Sequence, residues 1–408
     1  MIKKPLSALL CAVILTVLLS SCSLPGKQGQ ETPEESLPSA ASVTDAPKKM
    51  FENLTYEIEG GRAVITGCAG NATDTLKIPD KIEDCPVTGI SDFAFRDKTA
   101  LTGVSIPDTV TAIGEGAFYG CTGIRRIDIP DTVISIGHNA FYNTAYYNFK
   151  TSWDGKVFYA GNHLIYAKRS IEGDYAVREG TVSIADNAFS DTEDGYCTEL
   201  KSISIPSSVR FIGKSAFEYC EGLTEINIPD GVIGIGSAAF RECTGLKDIT
   251  LPDSVRSIGE NAFVYTAYSN NPDNWQDGVM YIGNHLIKAE DSVSGSYTVR
   301  AGTVSIADCA FSYCTGLREI IIPETVTAAG ENIFTGCDNL RDVYYEGIQG
   351  EGNAVSGLNL PAGAVIHYGY GKEQPASGEE PEQPASPDAA TGTDVSALSA
   401  RILFPFIR

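Results

Sequence analysis

A repeat solenoid of short parallel β-strands, joined by loops and short helical turns, is the fold class this sequence predicts, and three regularities predict it. The pair Ala-Phe returns at Phe95, Phe118, Phe141, Phe189, Phe217, Phe240, Phe263 and Phe311, with Ile333-Phe334 as a variant. Its steps are 23, 23, 48, 28, 23, 23, 48 and 23 residues. Ile-Pro recurs in phase at Ile106, Ile129, Ile205, Ile228 and Ile322, with Leu251-Pro252 as its variant. A longer repeat of 122 residues lies over the short one and links Trp153 with Trp275, Tyr175 with Tyr297, and Gly161-Asn162-His163-Leu164-Ile165 with Gly283-Asn284-His285-Leu286-Ile287. One such unit cannot bury its own apolar side, whereas stacked units can, so the array is the unit of stability.

Within a regular turn each element has a local reason. Leu223, Ile226 and Ile228 alternate as a half-buried strand does. Pro229 ends that strand, because proline gives the ladder no N–H. Val232 and Ile235 bring apolar groups back to the interior, and Gly236 is expected to supply positive φ at a tight corner. Ala239 permits close approach, and Phe240 is expected to fill the centre. The two steps of 48 read as one regular turn plus one turn of 25.

The pattern L-x-x-I-x-I-P-x-x-V-x-x-I-G-x-x-A-F-x-x-C resembles the BspA-type leucine-rich repeats of bacterial surface proteins, over roughly residues 54 to 345. Proline in the strand-ending place, with cysteine elsewhere, sets it apart from the generic leucine-rich pattern. The resemblance implies a right-handed, curved solenoid with a parallel sheet on one face. It also implies adhesion to extracellular-matrix proteins or to other cells.

Outside the array, Lys3 and Lys4 precede an apolar run ending in Leu19-Ser20-Ser21-Cys22. That segment reads as a secretory signal and resembles a bacterial lipobox, with Cys22 as the lipidated residue. The expected organisation is a signal peptide at 1–21, a flexible stalk at 22–50, an N-terminal cap at 51–92 and the solenoid at 93–345. A C-terminal cap at 346–371 and a Pro/Glu/Ser/Ala-rich disordered tail at 372–408 follow. Acyl chains at Cys22 would anchor the protein without a spanning helix. In the cap, Tyr56–Ile58, Gly60-Gly61 and Ala63–Ile65 read as a hairpin.

With 30 basic against 52 acidic residues the net charge is −22, which disfavours a phosphate backbone and makes nucleic acid an improbable partner. The chain has no G-x-S-x-G elbow, phosphate loop, EF-hand loop or C-x-x-C pair, so neither an enzyme, a metal site nor a cofactor is expected. Cys121, Cys220, Cys243, Cys314 and Cys337 each follow the motif Phe by three and read as small buried groups. Cys197 joins them, and Cys68 with Cys85 is the best disulfide candidate. His163 and His285 occupy equivalent places and read as caps of local backbone.

Function is then left to the surface. The outward strand positions are Gly103 and Ser105, Arg126 and Asp128, Ser202 and Ser204, Glu225 and Asn227, Asp248 and Thr250, Glu319 and Ile321, Asp342 and Tyr344. They form a polar, mildly acidic row of the kind solenoids use to bind partners. An alternative is a carbohydrate-binding module using the aromatic patch of the long turns, Tyr146, Tyr147, Trp153, Tyr268 and Trp275. A structural spacer without a ligand is the third reading. The expected partners are extracellular proteins or glycans, together with a membrane reached through the N-terminal lipid.

Overall fold

A computed structural model describes residues 49–70, 73–191, 195–350 and 354–371; the leader with Cys22, the stalk up to residue 48 and the 372–408 tail lie outside the described residues. Over the described residues the chain folds as a β-solenoid of about 13 turns with almost no helix. Each regular turn contributes two strands where the sequence pattern announces one. The first is the expected strand: Glu225–Asn227 runs parallel to Asp248–Thr250, with Ile226 opposite Ile249. The second is only two residues long: Phe211–Ile212, Gly234–Ile235 and Ser257–Ile258 pair in parallel, one period apart. Two residues offer no alternation to read, so sequence periodicity passes over this ladder.

Gly236 does not take the positive φ expected of it. A Cβ at Gly236 would stand 2.5 Å from the Lys214 backbone nitrogen, so glycine is required there by the approach of the preceding turn. The left-handed corners fall instead on Ala238 (φ 55°) and Glu242 (φ 61°). Between these corners the Phe217 N–H donates to Ala239 O at 2.8 Å, and Phe240 N–H to Ala262 O at 2.8 Å, tying each turn to the next. The phenyl rings consequently stack face to face, at 5.2 Å between Phe217 and Phe240 and 5.3 Å between Phe240 and Phe263. All three rings are fully buried.

The two long steps are built differently from regular turns. Val157–Ala160 and His163–Ala167 form an antiparallel hairpin, repeated by Val279–Ile282 and His285–Ala289 in the same register. Both strands of the first hairpin are buried along their whole length. Side chains alternate across a strand, so Phe158 and Ala160 enter the core on one side while Val157 and Tyr159 enter the core on the other. In the second hairpin Met280 and Ile282 face the middle core, and Val279 and Tyr281 face the last. The single apolar interior implied by the repeat is therefore partitioned into three successive cores by two-stranded walls. At the N-terminal end Leu54–Glu59 pairs antiparallel with Arg62–Cys68 through Gly60 and Gly61, whose φ values of 55° and 74° suit a two-residue turn.

Candidate functional site

Strand alternation turns Ile226 and Ile249 inward and leaves Glu225, Asn227, Asp248 and Thr250 exposed. Parallel register then stacks like positions: Glu225 stands beside Asp248 and Asn227 beside Thr250, while Asp174 stands beside Ser202 and Ala176 beside Ser204. Ser202 Oγ donates to Asp174 Oδ1 at 2.7 Å, and Thr250 Oγ1 to Asn227 Oδ1 at 2.6 Å. Ser202, Ser204, Glu225, Asn227, Asp248 and Thr250 line a shallow open hollow of about 460 Å³ floored by Ile203, Ile205 and Ile226. Asp174 carries the acidic column one strand further. The sequence pattern missed it because Tyr175 occupies the inward place that isoleucine marks in regular turns.

The other outward positions do not join this hollow through the strand ladder. Arg126 and Asp128 belong to a separate three-stranded ladder, Asp74–Lys77, Leu101–Ser105 and Arg126–Asp128, in which Gly103 is buried. Arg126 Nε donates to Asp128 Oδ1 at 2.9 Å, and that bond raises the guanidinium pKa further. Such an exposed pair contributes little to stability, because water screens it. Glu319, Ile321, Asp342 and Tyr344 lie on a four-stranded ladder that ends at Val365–Tyr368. There Asp342 Oδ1 is 2.7 Å from His367 Nε2, and the His367 ring stacks on Tyr344 at 4.7 Å. His367 was not among the expected surface residues, since its strand lies past the last recognisable repeat.

The aromatic patch is half-buried and divided between two cores. Tyr146, Tyr147 and Trp153 pack against the first core, Tyr268 and Trp275 against the middle one. Trp153 Nε1 donates to Tyr147 O at 2.7 Å and Trp275 Nε1 to Ser269 O at 2.8 Å, so each indole holds its own long turn together. Trp153 is enclosed by Tyr147, Phe158 and Tyr166, with ring centres 5.2, 5.5 and 6.0 Å away, and Lys168 Nζ lies 4.6 Å over its ring. Tyr268 spends its hydroxyl on Tyr281 O at 2.8 Å.

The buried titratable groups serve the backbone. His285 Nε2 donates to Pro252 O at 3.0 Å, which leaves Nδ1 to accept from Ser305 Oγ at 2.8 Å. His163 Nδ1 meets Ser183 Oγ at 2.9 Å. Burial lowers the pKa of both rings, that of His163 to about 4. Desolvation pushes Asp186 up to about 7 and Asp308 to about 6, although each carboxylate accepts a backbone N–H from the next turn, Lys214 at 2.7 Å and Glu331 at 2.8 Å.

The cysteine column is likewise structural. Cys121 and Cys243 donate to the carbonyls of Phe95 and Phe217 at 2.9 and 3.0 Å, and burial pushes both thiols up to about 12. A thiol held protonated is neither a nucleophile nor a metal ligand. Cys68 and Cys85, the best candidates for a disulfide, are both free. Among the described residues no three His, Cys, Asp or Glu gather as a metal site.

Comparison with known proteins agrees with this construction. The model of the BspA type leucine rich repeat region matches in 6 copies, at residues 88–194, 163–293 and 282–348. Among solved structures the chain is similar to a leucine rich cell surface protein from Faecalibacterium prausnitzii, at 26% identity over 74% of this chain and 77% of that one, with a TM-score of 0.28. It is also similar to a leucine-rich repeat protein from Bacteroides ovatus, at 23% identity over 73% of this chain and 70% of that one, with a TM-score of 0.27. No curated protein matches the chain. With the repeat matched across residues 88–348, well over half its length, the chain belongs to the BspA type leucine rich repeat family.

Proposed function

We propose that this chain is a surface-displayed, non-enzymatic binding protein whose polar sheet face takes up a basic patch of an extracellular protein, in adhesion to a matrix or to another cell. The observation that carries this reading is the hollow lined by Ser202, Ser204, Glu225, Asn227, Asp248 and Thr250. Parallel register repeats carboxylates and hydroxyls there at the strand spacing of about 4.8 Å, on a chain of net charge −22. Charges so placed steer cationic partners and lose that effect within a Debye length, about 8 Å at physiological salt. Family membership supports the reading, as does similarity to a protein described as a cell surface protein. A lipid on Cys22 would hold the chain at a membrane and the 22–50 stalk would give it reach.

The test is binding of the full chain to a panel of matrix proteins and glycans at two salt concentrations. The reading expects capture of a protein ligand that weakens with salt and falls at least tenfold in Glu225→Lys/Asp248→Lys. Capture of nothing would leave the spacer reading, and capture of glycans alone the carbohydrate one. Anchoring is tested separately: labelled fatty acid should enter the wild type and not Cys22→Ala, which should be shed into the medium.

A further inference from the structure

The two long turns are copies, yet their surfaces around the tryptophan have reversed in charge. Trp275 lines an open pocket of about 420 Å³ together with Ser269, Asn270, Pro272, Gly278 and Glu290. At the 122-residue offset the corresponding residues of the first copy are Tyr147, Asn148, Lys150, Lys156 and Lys168 around Trp153. Three lysines and a tyrosine have thus become proline, glycine, glutamate and serine. In the first copy Lys168 Nζ sits 4.6 Å over the Trp153 ring, so the indole face holds a cation of the chain's own. In the second copy the same position is Glu290, whose Oε2 accepts from Ser292 Oγ at 3.1 Å and lies 3.5 Å from where a Cβ on Gly278 would stand. The pocket has an aromatic face and a carboxylate, and no basic residue lines it.

We infer that the Trp275 pocket is a binding site for a cationic group, the ammonium or guanidinium of a lysine or arginine presented by a partner protein, which takes the place that Lys168 fills in the first copy. An indole face attracts a cation through its quadrupole, most strongly where water is partly excluded. Glu290 adds a charge-assisted hydrogen bond that a sugar hydroxyl would not match. Ser269 lacks the ring that Tyr147 holds 5.2 Å from the indole in the first copy, which opens access to Trp275. The site is separate from the sheet-face hollow and shares none of its residues.

The chain has two tryptophans, so Trp153→Phe leaves Trp275 as a sole fluorescent reporter. In that background, full-length protein is titrated at low salt with hexalysine, with side-chain-acetylated hexalysine and with a neutral hexasaccharide. Hexalysine should change the Trp275 emission saturably, and the acetylated peptide should not. Glu290→Lys, which rebuilds the arrangement of the first copy, should weaken hexalysine at least tenfold, and Glu290→Gln should weaken it to a lesser degree. Glu225→Lys/Asp248→Lys reverses two carboxylates on the sheet face, twice the charge change of Glu290→Lys, and should shift the midpoint less than twofold. The inference is overturned if Glu290→Lys and Glu290→Gln leave the titration unchanged. It is equally overturned if the sheet-face pair abolishes the response as fully, or if the hexasaccharide saturates where hexalysine does not. Because the readout is local to Trp275, either result stands apart from the fate of the sheet-face reading.

Discussion

The two long turns, around Trp153 and around Trp275, have the same skeleton and different skins. Val157 pairs with Ala167 as Val279 pairs with Ala289, and both hairpins shift register after the second pair. The Tyr159 hydroxyl meets Tyr175 at 2.9 Å as Tyr281 meets Tyr297 at 3.1 Å, and Arg178 and Arg300 lie over Tyr159 and Tyr281 at 4.4 and 4.3 Å. The tyrosine pairs and the His–Ser contacts are retained and the wall positions stay apolar, Phe158 and Ala160 giving way to Met280 and Ile282, because an error there leaves a cavity or an unpaired polar group. The copies part most in charge around the indole, where Lys150, Lys156 and Lys168 give way to Pro272, Gly278 and Glu290. The difference locates the surface on which the two copies are free to specialise.

The largest test of that contrast removes one wall residue from each copy. Phe158 and Met280 are equivalent and fully buried. Phe158→Ala should cost about 3–5 kcal/mol and Met280→Ala about 2–5 kcal/mol in denaturant unfolding. Amide exchange should accelerate on both sides of the altered wall, since each strand serves two cores; acceleration confined to one side would refute the partition.

Next comes pH. His163 has its folded pKa lowered to about 4 by burial. The native state therefore resists the proton, and stability is lost as pH falls from the unfolded value near 6.5 through 4, by about 3 kcal/mol at most. His163→Gln should flatten that part of the pH–stability curve; an unchanged slope would show the ring is not titrating there. Asp186 and Asp308, raised to about 7 and about 6, act in the opposite sense. Their native state binds the proton more tightly, so stability is gained as pH falls through those values. Asp186→Asn, which mimics the protonated acid, should stabilise at pH 8 by roughly 2 kcal/mol after solvent screening, with the gain gone by pH 4. Asp308→Asn should gain less, and calorimetric melting at the two pH values separates them.

The smallest effects lie at the indoles. Trp275→Phe gives up the bond to Ser269 O and should cost about 1 kcal/mol. Lys168→Glu, which gives the first copy the second copy's charge, should cost about 0.5–1 kcal/mol through the lost cation–π contact, and a double-mutant cycle with Trp153 should assign that loss to the pair.

Much of the array was legible in the residues. Phe217, Phe240 and Phe263 are large, apolar and evenly spaced, and a period that regular can be satisfied by a stack of turns. The outward polar row followed from strand alternation, and six of its members do share one hollow. Its division was not legible, because nothing in Val157–Ala160 distinguishes a strand facing two cores from one facing a single core. Gly236 misled for a related reason: glycine answers both to positive φ and to close approach, and sequence does not say which.

By itself the sequence determined the repeat, its period, the column of buried rings and the duplication, because each is a pattern of side-chain chemistry along the chain. Tertiary structure alone decided the two-residue ladder, the walls between cores and the fact that one indole is covered by a lysine while its twin faces an open pocket. Those features depend on atoms that stacking brings together from positions 15 to 31 residues apart, such as Trp153 with Lys168 or Cys220 with the carbonyl of Phe189. Local propensity carries no record of such neighbours.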